Sequence, residues 1–250
     1  DADRVGVEVL QKDGSYLNLS GNQIGAIMAK YILEAHKNAG TLPENAALCK
    51  SIVSTDLVTK IAESYGATMF NVLTGFKFIA EKIQEFEEKH NHTYMMGFEE
   101  SFGYLIKPFV RDKDAIQAVL VVAELAAYYR SRGLTLADGI EEIYKEYGYY
   151  AEKTISVTLS GVDGAEQIKA IMAKFRNNAP KEWNTTAITV VEDFKAQTAT
   201  AADGTVTNLT TPPSDVLKYT LADGSWIAVR PSGTEPKIKF YIAVVGESNE

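Results

Sequence analysis

The chain has 250 residues, too long for one average domain and suited to two of ~100–150 residues. With 46% hydrophobic and 23% charged residues it sits at the globular norm, which excludes wholesale disorder. Lysine and arginine number 25 against 33 aspartates and glutamates, and the formal charge of −8 argues against a nucleic-acid partner.

One cysteine, Cys49, excludes an internal disulfide and a four-cysteine zinc site. It lies in the mostly apolar run Ala46–Val53 and reads as a buried, inert thiol. The longest apolar stretch, Ala115–Tyr129, is broken by Gln117 and Glu124 and falls short of the ~20 residues of a membrane span. No membrane partner is expected. Asp1-Ala2-Asp3-Arg4 runs straight into the alternation Val5, Val7, Val9, with no basic and apolar leader. Such a start reads as the interior of a longer polypeptide.

Val5–Leu10 is predicted as a strand closing on the turn Lys12–Ser15. Ile24, Ile27, Met28, Tyr31, Ile32 and Ala35 recur at helical spacing behind the start signal Ser20-Gly21-Asn22. Ala46–Ser54 reads as a strand, with Thr55/Asp56 capping a helix that ends at Gly66. Thr68–Val72 is a further strand and Lys77–Lys89 a helix. Tyr94–Met96 is a short strand leading into Gly97–Gly103. Asp114 caps an apolar helix to about Arg132, and Leu136–Tyr147 forms the next. This alternation predicts an α/β layer domain. Beyond Tyr150 the texture changes. Thr154–Leu159 alternates as a strand, Ala165–Phe175 is helical, and the thin Thr-, Ala-, Asp- and Gly-rich Ala196–Pro213 reads as a surface hairpin or loop. Leu217–Leu221 and Trp226–Val229 flank the hairpin signal Asp223-Gly224, and Lys237–Val245 is the last strand. A smaller α+β domain is expected there, with a hinge near Gly148–Glu152.

Four segments carry chemistry. Arg230-Pro231-Ser232-Gly233-Thr234-Glu235-Pro236 lies between two predicted strands and holds the parts of a phosphate clamp. Arg230 offers a bidentate fork, Ser232 and Thr234 offer hydroxyl donors, and Gly233 lets backbone N–H groups approach an oxyanion. It is no Walker loop, and a polar inter-strand turn is its plainer reading. Gly97-Phe98-Glu99-Glu100-Ser101-Phe102-Gly103 pairs carboxylates with a serine just after a strand, which suits neighbouring sugar hydroxyls; a solvated loop is the alternative. Asp1-x-Asp3 places two carboxylates on one side of an extended segment, a weak signal for Mg²⁺. Thr74-Gly75-Phe76-Lys77 sets a lysine beyond a glycine turn, a phosphate contact or a solvated helix start. His90-x-His92 lacks a nearby third ligand and reads as loop polarity.

In this order the segments resemble the α-D-phosphohexomutases, of the phosphoglucomutase/phosphomannomutase type. Asp1-Ala2-Asp3-Arg4 is similar to the end of that family's metal loop, Gly97–Gly103 to its sugar-binding loop, and Arg230–Thr234 to its phosphate-binding loop. Thr74–Lys77 resembles the bacterial phosphoglucomutase form of a further loop. The resemblance implies residues 1–14 as the tail of domain 2, residues 15–148 as a mixed-sheet α/β domain 3, and residues 149–250 as an α+β domain 4. It implies Asp1 and Asp3 toward Mg²⁺, Glu99 and Ser101 at sugar hydroxyls, and Arg230, Ser232, Gly233 and Thr234 at a phosphate. Arg4 and Lys77 would face the reacting phosphate. The activity implied for the complete, cytoplasmic enzyme is exchange of hexose 1-phosphate and hexose 6-phosphate. It runs through a phosphoserine and a glucose 1,6-bisphosphate-type intermediate. No serine here is followed by histidine, as the family's nucleophile is, so these residues by themselves are expected to be inactive. A sugar-phosphate binding module, a Mg²⁺-dependent phosphatase using Asp1 and Asp3, and a partner-docking protein are the rival readings.

Overall fold

The computed structural model describes residues 1–159, 163–233 and 235–248. They form two compact units, Asp1–Tyr149 and Tyr150–Glu250.

The first unit opens with a hairpin of β1 (Val7–Leu10) and β2 (Tyr16–Leu19), paired Val7 to Leu19. The predicted strand starts two residues late because the Val5 N–H donates to the Phe102 carbonyl instead (3.2 Å). Helix α1 (Gly21–Asn38) begins at a capping box: Ser20 Oγ accepts the Gln23 N–H, and the Ser20 N–H donates to Gln23 Oε1. Then follow β3 (Ala46–Ser51), α2 (Leu57–Ser64), β4 (Thr68–Val72), α3 (Phe76–Lys89), β5 (Thr93–Glu99), β6 (Gly103–Leu105), α4 (Ala115–Ser131) and α5 (Leu136–Tyr147). The sheet order is β4-β3-β5-β6; β3 is parallel to β4 and β5, and β6 turns back antiparallel on β5. Ala47, Cys49, Val72, Ile79, Ile83 and Phe86 build a core between sheet and α3. Burial pushes the Cys49 thiol up to about 12, which keeps it inert. On α1, Gly25 lies against the Phe98 ring, where a Cβ would meet the ring at 2.5 Å.

The chain leaves β3 for β4 on one side and returns for β5 on the other. The carboxyl ends of β3 and β5 therefore flank a topological switch point, the usual place for a ligand crevice in open α/β sheets.

In the second unit β7 (Tyr149–Thr158), α6 (Gly164–Asn177), β8 (Glu182–Trp183), β9 (Thr186–Asp193), β10 (Thr198–Ala201), β11 (Val206–Asn208), β12 (Leu217–Leu221), β13 (Trp226–Pro231) and β14 (Lys237–Gly246) follow in order. They make a sheet β11-β10-β9-β12-β13-β14-β7, with β8 beside β9. Ile168 and Met172 of α6 pack with Tyr219, Val229 and Ile238 of the sheet. The mixed α/β unit followed by an α+β unit is the expected fold class. No helix among the described residues is long and apolar enough to cross a membrane.

Candidate functional site

Three loops converge at the switch point of the first unit. Strand β5 runs four residues past Met95 to end on Glu99, so pleating sends Glu99 and Glu100 to different partners rather than to one shared ligand. Glu99 is only 5% exposed, and its Oε1 accepts the Gly75 N–H at 2.6 Å. Gly75 can present that N–H because its φ of 126° belongs to glycine. Glu100 Oε2 accepts from Ser51 Oγ (3.0 Å) and Ser54 Oγ (3.3 Å), and the Glu100 N–H donates back to Ser54 Oγ (3.1 Å). Ser101 is half-buried in the turn that follows. Phe102 is left-handed at φ 68°, a strained state for a residue with a Cβ.

The start of α1 supports this loop from below. Gly21 lies so close that a Cβ there would stand 2.0 Å from the Glu100 carbonyl oxygen, and Tyr104 Oη donates to the Gly21 carbonyl (2.9 Å). Asn22 Oδ1 accepts the Thr55 N–H, tying the helix to the loop after β3. Lys50 is fully buried there, donating to the Ser54 carbonyl (3.1 Å) and to Asp56 Oδ1 (2.8 Å). Asp56 occupies the cap position of α2 with no side-chain cap bond, because its carboxylate is on Lys50.

Residues 1–5 lie along the same edge. Asp3 pairs with Lys113 Nζ (3.2 Å) and Arg4 Nε (3.5 Å), and the Ala2 carbonyl accepts the Ala115 N–H (3.0 Å). Arg4 thus sits on Asp3. Lys113 is 11% exposed in its side chain; burial works against its charge, but hydrogen bonds to Asp112 and Asp3 outweigh that and raise its pKa. Burial raises the Glu99 carboxyl above the usual 4.5, and the Glu100 charge adds to this; the Gly75 N–H, Lys113 and Arg4 oppose it. Lys77 is exposed with Nζ over the Phe78 ring (4.8 Å) and joins none of these groups; its loop reaches the cluster through Gly75 instead.

The folded state therefore binds the Glu99 proton more tightly than the unfolded chain does. That costs stability as pH rises through 4.5 and the raised value, in full above it and not at all well below. Glu99→Gln, whose amide oxygen can still accept from Gly75, is expected to raise the urea midpoint at pH 7 and leave it unchanged at pH 4. An equal gain at both pH values contradicts this.

The two carboxylates expected toward Mg²⁺ do not fit a divalent site by themselves. Asp3 is already shared by two cations, and no group of three His, Cys, Asp or Glu side chains that could hold a metal occurs among the described residues. Calorimetry on the 250-residue chain is expected to show no micromolar Mg²⁺ affinity; saturable micromolar binding would overturn this.

In the second unit Arg230 and Pro231 end β13, opposite Lys239 and Ile238 of β14. The Ser232 N–H donates to the Lys237 carbonyl (2.7 Å), closing a hairpin whose tip carries the exposed Gly233. Thr234 lies outside the described residues. Arg230 is half-buried and makes no ion pair among the described residues, with Lys237 and Lys239 on the facing strand. Lys237 holds Glu235 at 2.8 Å and lowers its pKa.

The sequence reading passed over Lys50, Ser51, Ser54 and Lys113. Lys50 within the mostly apolar Ala46–Val53 run was the one visible signal, since lysine is almost never fully buried without a partner.

Residues 20–147 match the family model for the phosphoglucomutase/phosphomannomutase alpha/beta/alpha domain III, and residues 162–248 match that for the C-terminal domain. The chain belongs to the phosphoglucomutase/phosphomannomutase family. It is 38% identical over 245 residues to a phosphoglucomutase of Staphylococcus aureus (strain bovine RF122 / ET3-1), and 38% identical to one of Staphylococcus epidermidis. These alignments take in 98% of this chain but 43% and 44% of the relatives, so the chain spans less than half of their length. In fold it is similar to Paramecium pp63/parafusin (TM-score 0.67, 18% identity, 100% of this chain and 40% of that one). It is also similar to Aspergillus fumigatus N-acetylphosphoglucosamine mutase, solved with GlcNAc-6P and magnesium (TM-score 0.53, 14% identity, 99% and 48%).

Proposed function

We propose that these residues are the hexose-phosphate-binding part of a phosphoglucomutase/phosphomannomutase, the C-terminal half comprising the end of domain 2 and domains 3 and 4. The observation that carries the reading is the convergence of Glu99, Arg4 and Lys113 at the switch point of the first unit. Glu99 has one oxygen fixed by Gly75, which leaves the other for a sugar hydroxyl, and Ser101 supplies a second partner. Arg4 and Lys113 place positive charge beside them, as a phosphoryl group in transfer requires. In the second unit the Arg230 hairpin takes a phosphate that is not reacting, through a guanidinium fork and backbone N–H groups. Ser232, Gly233 and Thr234 complete that loop.

The reaction of the longer protein passes a phosphoryl group from a phosphoserine outside this chain to O6 of a hexose 1-phosphate. The bisphosphate formed turns over and returns its 1-phosphate to the serine. Two orientations of one sugar must therefore be held by contacts common to both, a task suited to Glu99 and Ser101. Glucose and mannose differ only at O2, and no group is assigned to that hydroxyl. The longer protein is expected to show kcat/KM for glucose 1-phosphate and mannose 1-phosphate within ~10³ of each other. Absence of turnover on both sugars, in a protein that binds them, would instead favour the sugar-phosphate binding module.

A further inference from the structure

The second unit carries a cavity of about 600 Å³ between the C-terminal half of α6 and strand β8. Phe175 and Trp183 line it, both half-buried, with their rings parallel within 7° and centroids 6.4 Å apart. Phe175 is braced by the Tyr219 and Phe240 rings at 6.3 and 6.1 Å. Trp183 pairs with Thr186 across a tight turn in which Asn184 and Thr185 both take positive φ, the form that a two-residue hairpin prefers. Packing and backbone pairing thus fix both rings. Lys174, Asn178, Glu182 and Asn184 share the lining. All four are exposed, and none makes a side-chain hydrogen bond or ion pair among the described residues. The cavity is remote from the phosphate hairpin. Helix α6 starts at Gly164, where an added Cβ would stand 3.4 Å from Pro236. Phe175 lies about 16 Å further along the helix at 1.5 Å per residue.

We propose that this cavity binds an adenine mononucleotide, at a site separate from the hexose-phosphate contacts. A base is flat and stacks on aromatic rings through its π-face. The adenine edge sets a donor beside an acceptor, which an asparagine amide answers with one of each, and Asn178 and Asn184 supply two such amides. Glu182 suits ribose hydroxyls, as an acidic residue does beside a nucleotide's sugar, and Lys174 supplies a cation for the phosphate. The volume falls within the ~300–1,000 Å³ of small-molecule sites. The same features select against other occupants. A hexose phosphate has no π-face to set against the parallel rings. A nucleic-acid strand needs more cations than Lys174 and meets a chain of formal charge −8.

The test is an NMR titration of adenosine monophosphate into the 250-residue chain, read at the tryptophan indole N–H and asparagine amide signals. Trp226, buried at 2%, is the internal reference. Saturable shifts at Trp183, Asn178 and Asn184, with Trp226 unmoved, are the expected result. Binding is expected to survive Arg230→Ala and excess inorganic phosphate, and to weaken ~10-fold or more in Trp183→Ala. Lys174→Glu alters only an exposed side chain and keeps the test decisive if Trp183→Ala does not fold. It is expected to weaken adenosine monophosphate about fivefold and to leave adenosine unchanged. The proposal is overturned by the absence of a saturable shift at Trp183, by loss of binding in Arg230→Ala, or by undiminished affinity in Trp183→Ala. An equal effect of Lys174→Glu on nucleotide and nucleoside also overturns it, as does a methyl glucoside that shifts Trp183 where the nucleotide does not.

Discussion

Replacing Arg230 with alanine is expected to abolish the binding of glucose 6-phosphate and inorganic phosphate by the 250-residue chain. The proposed phosphate contacts lie within one segment between β13 and β14 of the second unit, so binding there is expected without residues from elsewhere. The free energy available is small. A dissociation constant near millimolar corresponds to roughly −4 kcal/mol. A charge-assisted guanidinium contact supplies ~1.5–3 kcal/mol of that, so its loss moves binding out of the measurable range. Arg230→Lys keeps the charge without the planar fork and is expected to fall between the two. Added salt is expected to weaken the wild-type interaction, since an exposed loop is screened over ~10 Å at 0.1 M. The measurement is an NMR titration followed at Arg230–Gly233. Unaltered binding in Arg230→Ala, or shifts confined to other loops, would contradict the assignment. His90→Ala is expected to change nothing; His90 is exposed, in a left-handed cap at the end of α3.

Gly21→Ala carries the larger structural effect. A Cβ at position 21 would stand 2.0 Å from the Glu100 carbonyl oxygen and 3.0 Å from the Phe102 nitrogen, both backbone atoms that no rotamer change can move. Helix α1 and the Glu99–Gly103 loop must separate, at an overpacking cost of ~1–3 kcal/mol. For a chain of this length that lowers the melting temperature by about 2–12 °C. The loss is read by far-UV circular dichroism, with fluorescence of Trp183 and Trp226, both in the second unit, as an internal reference. Gly6→Ala is the control, with nothing within 4 Å of its Cβ position and an expected effect within about 0.5 kcal/mol. A Gly21→Ala chain as stable as the control would refute the close packing of α1 on this loop.

Local signals made much of the fold legible. Thr68–Val72, Leu136–Tyr147 and Leu217–Leu221 have the bounds their patterns predict, and Asp114 caps α4 through the Ile116 and Gln117 N–H groups. Each of these depends on neighbours a few residues away. The order of the Asp1–Arg4, Gly97–Gly103 and Arg230–Thr234 segments was likewise enough to place the chain in its family.

Tertiary structure decided the rest, because the deciding bonds join residues far apart in the chain. Strand β6 is three residues long and exists by pairing with β5, which draws Glu99 into the sheet's buried end. Glu99 meets Gly75 across 24 positions, and Glu100 meets Ser51 across 49. Asp3 and Lys113 stand 110 positions apart, yet they form an ion pair at 3.2 Å. No periodicity or spacing encodes such pairs. What the sequence determined was which residue types stand in which segments; closing the sheet at its switch point decided which carboxylate is buried, which is bridged by serines, and which is neutralised by a lysine.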